Sequence, residues 1–105
     1  MMRGPGTARL LARALSASAA RNGLVVAIEE HGAMPWHSAT FSGYRHALTL
    51  TATPAGALAN RWLATIGTLD VPLPGALLAD LSVTGAVKRR GECCVEVEAL
   101  TVAYA

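Results

Sequence analysis

Between residues 7 and 21 the apolar positions recur with helical spacing: Leu10, Leu11, Ala14, Leu15 and Ser18 fall on one stripe and Arg9, Arg13 and Arg21 on another. This predicts a first helix capped by Thr7 after a loose start over residues 1–6, with Asn22-Gly23 as its stop. Leu24-Val25-Val26-Ala27-Ile28 is too short an apolar run for a helix and is rich in β-branched residues, which predicts a strand buried on both faces or nearly so. Glu29 and Glu30 bring it to the surface, and the Gly and Pro of His31–Pro35 read as a connecting loop. From Ser38 to Thr53 the chain alternates, but the apolar phase changes between Phe41 and Tyr44. A β-bulge at Gly43 would absorb the extra residue. Thr53 and Pro54 then read as cap and first residue of a second helix, with Leu58, Ala59, Trp62 and Ile66 inward, Asn60 and Arg61 outward, and Gly67 just past its end.

Pro72 and Pro74 exclude a central strand from Thr68–Gly75, leaving a short edge strand or an extended connection. Leu77–Val87 and Glu92–Ala103 read as the arms of a hairpin with Lys88-Arg89-Arg90-Gly91 at its tip. In the second arm Leu100 and Val102 reverse the apolar phase, which predicts another bulge near Ala99. The order helix, strand, strand occurs twice. Two such αββ units imply an α+β two-layer sandwich, an antiparallel sheet of about four strands with two helices on one face, and one domain over residues 7–105. The opposite sheet face would carry Glu96, Glu98, Thr49 and Thr51 if water covers it, and more apolar side chains if a second protomer does.

A chain of 105 residues builds one core, which disfavours two-domain and large-cofactor enzymes; no cofactor is expected. At 52% hydrophobic and 15% charged, with mean hydropathy +0.38, it is too apolar for disorder. The net charge of +2 neither demands nor excludes an anionic partner. Cys93 and Cys94 are adjacent, and neighbours on a strand point to opposite faces, so an intrachain disulfide is disfavoured and a reducing compartment suits them. No apolar stretch reaches the roughly 20 residues of a membrane span, and no secretory signal is legible. The expected location is the cytoplasm. The alternative is the mitochondrial matrix: residues 1–28 hold Arg3, Arg9, Arg13 and Arg21, are rich in Ala and Ser, and have no acid before Glu29, the composition of a transit peptide.

The stretch Trp36-His37-Ser38-Ala39-Thr40-Phe41-Ser42-Gly43-Tyr44-Arg45-His46 resembles a W-x-S-A-T-F-x-G-x-R-H segment of small uncharacterised bacterial proteins of about this length. The likeness extends to Val97-Glu98-Ala99-Leu100-Thr101-Val102. The resemblance implies a bacterial cytoplasmic domain and assigns no catalytic residue.

That segment also holds the densest group of chemically capable side chains. If the Gly43 bulge brings His37, Phe41, Tyr44 and His46 to one face, with Arg45 opposite, they form a wall at which an imidazole and a phenol bind a small ligand under Trp36 as a lid. The competing reading makes Trp36, Phe41 and Tyr44 core and His46 a hydrogen-bonded buried histidine, since no nucleophile motif or fixed carboxylate partner accompanies them. A metal site on His31, His37, His46 and a cysteine lacks any chelating spacing, and none is expected. Lys88, Arg89 and Arg90, with Arg45 and the arginine stripe of the first helix, could contact phosphates, but Glu92, Glu96 and Glu98 follow on the same arm; nucleic-acid binding is disfavoured. Asp70 reads as closing a turn, and Asp80, on a strand, as facing either solvent or a partner such as Arg45, with proximity to His46 the case of interest. Three functions follow in order: a non-enzymatic association domain, as a homodimer or partner subunit; a small-ligand-binding protein or minor enzyme using Trp36, His37, Tyr44, Arg45 and His46; and a weak nucleic-acid binder. No membrane partner is expected.

Overall fold

The structure, a computed structural model, describes residues 4–68, 73 and 75–103. The chain runs α1 (Gly4–Arg21), β1 (Val25–His37), β2 (Ser42–Thr53), α2 (Ala57–Thr65) with a 3-10 turn Ile66–Thr68, β3 (Ala76–Arg89) and β4 (Glu92–Ala103). The four strands form one antiparallel sheet in the order β1-β2-β4-β3. The two αββ units therefore meet at their second strands, and each contributes its first strand as an edge. Both helices cover the same face. Leu11, Leu15 and Ala19 of α1, Ala59 and Trp62 of α2, and Ile66 pack with Leu48, Leu50, Val95 and Val97 of the central strands. This is the predicted α+β two-layer arrangement.

Local differences from the sequence reading have simple causes. Helix α1 begins at Gly4 rather than at Thr7; Pro5 is no obstacle there, because an N–H in the first turn has no intrahelical acceptor. Residues 1–3 lie outside the described part, as do Asp70 and most of the proline segment, in which Leu73 bridges to Ala76. Helix α2 begins at Ala57 rather than at Pro54 because Thr53 still belongs to β2: it pairs with Val25 and its hydroxyl donates to the Val25 carbonyl at 3.3 Å. Gly56 stands before α2 with φ 129°, and no side chain caps the helix. Leu58, expected inside, is exposed, whereas Ala59, Trp62 and Ile66 are buried as the spacing indicated.

Strand β1 is thirteen residues long and absorbs His31–Pro35, which the sequence marked as a loop. It is an edge strand with one open face, so Val25 is 72% exposed rather than buried on both sides. An edge tolerates Pro35, whose missing N–H interrupts no ladder between two neighbours. His31 is an extra residue between Glu30↔Leu48 and Gly32↔Ala47, and this bulge switches the parity of the rest of β1. The other edge, β3, carries two irregularities, at Ala79 and Thr84. The central strands pair without interruption from Gly43↔Val102 to Ala52↔Cys93, so the bulges expected at Gly43 and near Ala99 are replaced by bulges at the edges. The hairpin of β3 and β4 turns at Arg90-Gly91, where Gly91 takes φ 73°.

Candidate functional site

Register divides the Trp36–His46 cluster between the two faces of the sheet. Even-numbered residues of β2 point to the helices: Leu48, Leu50 and Ala52 are buried there, with His46 and the half-buried Tyr44 on the same side. His37 pairs with Ser42 and joins that side, exposed at the end of the sheet. Trp36 pairs with Gly43 and shares the opposite, open face with Arg45. Trp36 is therefore no lid over His46, because the sheet lies between them. Phe41 leaves the strand altogether. It closes a turn in which its N–H donates to Ser38 Oγ at 3.1 Å and its carbonyl accepts from the Ser38 N–H at 2.8 Å. Its parity is thus independent of β2, and it is 57% exposed. Gly43 has a different role from the one expected: a Cβ there would stand 1.8 Å from the Thr101 carbonyl oxygen, so only glycine lets β4 approach.

On the helical side, His46 is wholly buried. Its Nε2 lies 3.0 Å from Thr101 Oγ1, and that hydroxyl lies 3.4 Å from the Tyr44 carbonyl. With the hydroxyl proton directed to the carbonyl, Nε2–H donates to Thr101, and Nδ1 keeps a bare lone pair. Nδ1 has no hydrogen-bond partner among the described residues. The Tyr44 ring stands beside the imidazole with centroids 6.1 Å apart. Burial holds the His46 pKa below its ordinary value of 6.5, since removal from water disfavours the imidazolium. What survives of the expected ligand wall is a neutral histidine, a threonine and a half-buried tyrosine, and it lacks the cationic Arg45.

The open face reads in rows across β1, β2, β4 and β3. At one end Trp36, Gly43, Val102 and Leu77 lie side by side, followed by Met34, Arg45, Leu100 and Asp80. Met34 is 70% and Leu77 50% exposed. The middle holds Thr49, Thr51, Glu96 and Glu98, the occupants expected of a wet face, together with Glu29 and the small residues Gly32, Ala47, Ser82 and Gly85. Arg45 Nη1 pairs with Glu98 Oε1 at 3.3 Å, both side chains half in water, and His31 Nε2 meets the Thr49 hydroxyl. Of the two alternatives for Asp80 the structure has solvent: the residue is exposed, lies across Leu100 from Arg45 and is on the face opposite His46. The signal for this apolar end was present in the sequence. Leu100 and Val102 do not reverse phase through a bulge; they continue the outward parity of Cys94, Glu96 and Glu98 as apolar residues on the open side.

Arg89 and Arg90 are exposed at the hairpin tip, and the Lys88 side chain lies outside the described part. Arg9, Arg13 and Arg21 are exposed on α1, on the helical side of the sheet. Among the described residues no three His, Cys, Asp or Glu side chains gather as metal ligands, and no helix is long and apolar enough to cross a membrane. No protein-family model and no curated protein matches the chain.

Proposed function

We propose that this protein is a non-enzymatic association domain, working as a homo-oligomer, whose uncovered sheet face is the surface that meets the other molecule. The observation that carries this reading is the apolar end of that face, where Met34 and Leu77 stand largely in water beside Trp36, Leu100 and Val102. Contiguous apolar side chains rimmed by polar ones mark contact surfaces. The sheet edges do not compete for this role, because bulges interrupt both and β1 contains Pro35. The reading places the chain in a reducing compartment, the bacterial cytoplasm. Cys93 and Cys94 support this: both are free, one buried and one half-buried, and as strand neighbours they point apart.

Light scattering at two concentrations tests the reading. The wild-type mass should exceed the 10.9 kDa of one protomer and rise with concentration. The double substitution Met34→Glu, Leu77→Glu should weaken association at least about tenfold, because it puts charge into the apolar end of the contact. A wild-type mass that stays at one protomer at both concentrations overturns the proposal.

A further inference from the structure

We infer that the surface received by the open sheet face is the helical layer of a second copy of this chain, so that protomers stack helix layer on sheet face. This rests on the association reading and names its partner. The observation behind it is the separation of charge across the two layers. Neither helix contains an acid, and Arg9, Arg13, Arg21 and Arg61 are all exposed on them. Among the described residues, five of the chain's seven acids, Glu29, Asp80, Glu92, Glu96 and Glu98, share the open face with the two arginines Arg45 and Arg89. Two copies meeting face to face would set a net −3 against a net −3, five acids less two arginines on each side, and like charges across an interface oppose docking. A helical layer presents the opposite sign.

The spacing agrees. Arg9 and Arg13 are four residues apart on a helix, a rise of about 6 Å. Glu96 and Glu98 are two residues apart on a strand, about 6.8 Å. Around the arginines the same stripe of α1 carries Ser16, Ala17 and Ala20, and around the glutamates the sheet carries Gly32, Ala47, Thr49 and Gly85. Small residues on both sides let a helix lie close to the sheet. The Glu96 carboxylate already lies over Gly85, where a Cβ would approach Oε1 to 3.2 Å. Because the two surfaces are on opposite sides of a two-layer body, the contact is head-to-tail, and assembly continues past two protomers unless a ring closes.

Sedimentation velocity of the full chain tests this with two charge-reversed variants: a helix variant, Arg9→Glu with Arg13→Glu, and a sheet variant, Glu96→Lys with Glu98→Lys. Wild type should form species larger than a dimer at about 20 mM salt and return towards the protomer at about 500 mM, where the screening length falls to a few ångströms. Each variant alone should associate at least about tenfold more weakly, and an equimolar mixture should regain assembly, since each supplies the surface the other has lost. Circular dichroism checks folding, and Arg9→Gln with Arg13→Gln replaces the helix variant if that one unfolds. A helix variant that associates like wild type, or a mixture that stays dispersed, overturns the inference while leaving the association reading in place. A wild-type chain that remains a protomer in both salts overturns both.

Discussion

His46 shows how a single buried side chain couples this fold to pH. Its folded-state pKa is depressed by burial, so in the window below 6.5 the unfolded chain binds a proton that the folded chain refuses. Stability is thus fully present above 6.5, falls as the pH drops below it, and levels off below the folded pKa. The local cause is visible: protonation would place a second N–H on Nδ1, which has no acceptor among the described residues. Urea unfolding at stepped pH should show this decline in wild type and a shallower one in His46→Gln; equal slopes would remove the assignment. The neighbouring residues show how far sequence reading reached. His37, Tyr44 and His46 do share a face and Arg45 does lie opposite, as the parity argument held, but the device that achieves it is the four-residue turn over residues 38–41, which pairs His37 with Ser42, not a bulge at Gly43. Parity within a strand can be read from sequence; whether a residue such as Phe41 belongs to the strand depends on where its partner strand turns back.

The two helices illustrate how elements of modest propensity become firmly placed. Trp62 of α2 is 2% exposed, and its Nε1 donates to Ser18 Oγ of α1 at 3.0 Å, so the indole fills the core while its one polar atom joins the helices. Trp62→Phe should cost about 1–3 kcal/mol, from the volume left unfilled and the Ser18 hydroxyl left buried without this donor. Chemical denaturation measures this, and a variant of unchanged midpoint would show that the bond and packing contribute little. Apart from Leu58, both helical stripes were readable, because a repeat of three to four residues is set by the helix itself. Ser18 sat on the apolar stripe as an apparent exception, and Trp62 explains it. The strands were less legible at their ends. The Gly and Pro of His31–Pro35 signal a loop in general, but an edge strand can hold both, one within a bulge and the other without a ladder partner on its outer side.

For the molecule as a whole, α1 supplies one part of the core. Leu11, Leu15 and Ala19 are wholly buried against the sheet. A chain lacking residues 1–22 should lose cooperative thermal unfolding and bind a hydrophobic dye, because Leu48 and Leu50 would be uncovered; a truncated chain that still melts sharply near the full-length temperature would instead favour a removable N-terminal segment. Sequence alone was enough for the order of the elements, the two-layer class, the arms of the second hairpin and most of the core. Those follow from periodicity, turn residues and the need of each apolar face for cover. Strand order, the transfer of the bulges to the edges, the separation of Trp36 and Arg45 from His46, and the gathering of acids opposite an all-basic helical layer were decided only by the tertiary structure. Each depends on which distant strand lies alongside, and pairing partners far apart in the chain leave no local periodicity to reveal them.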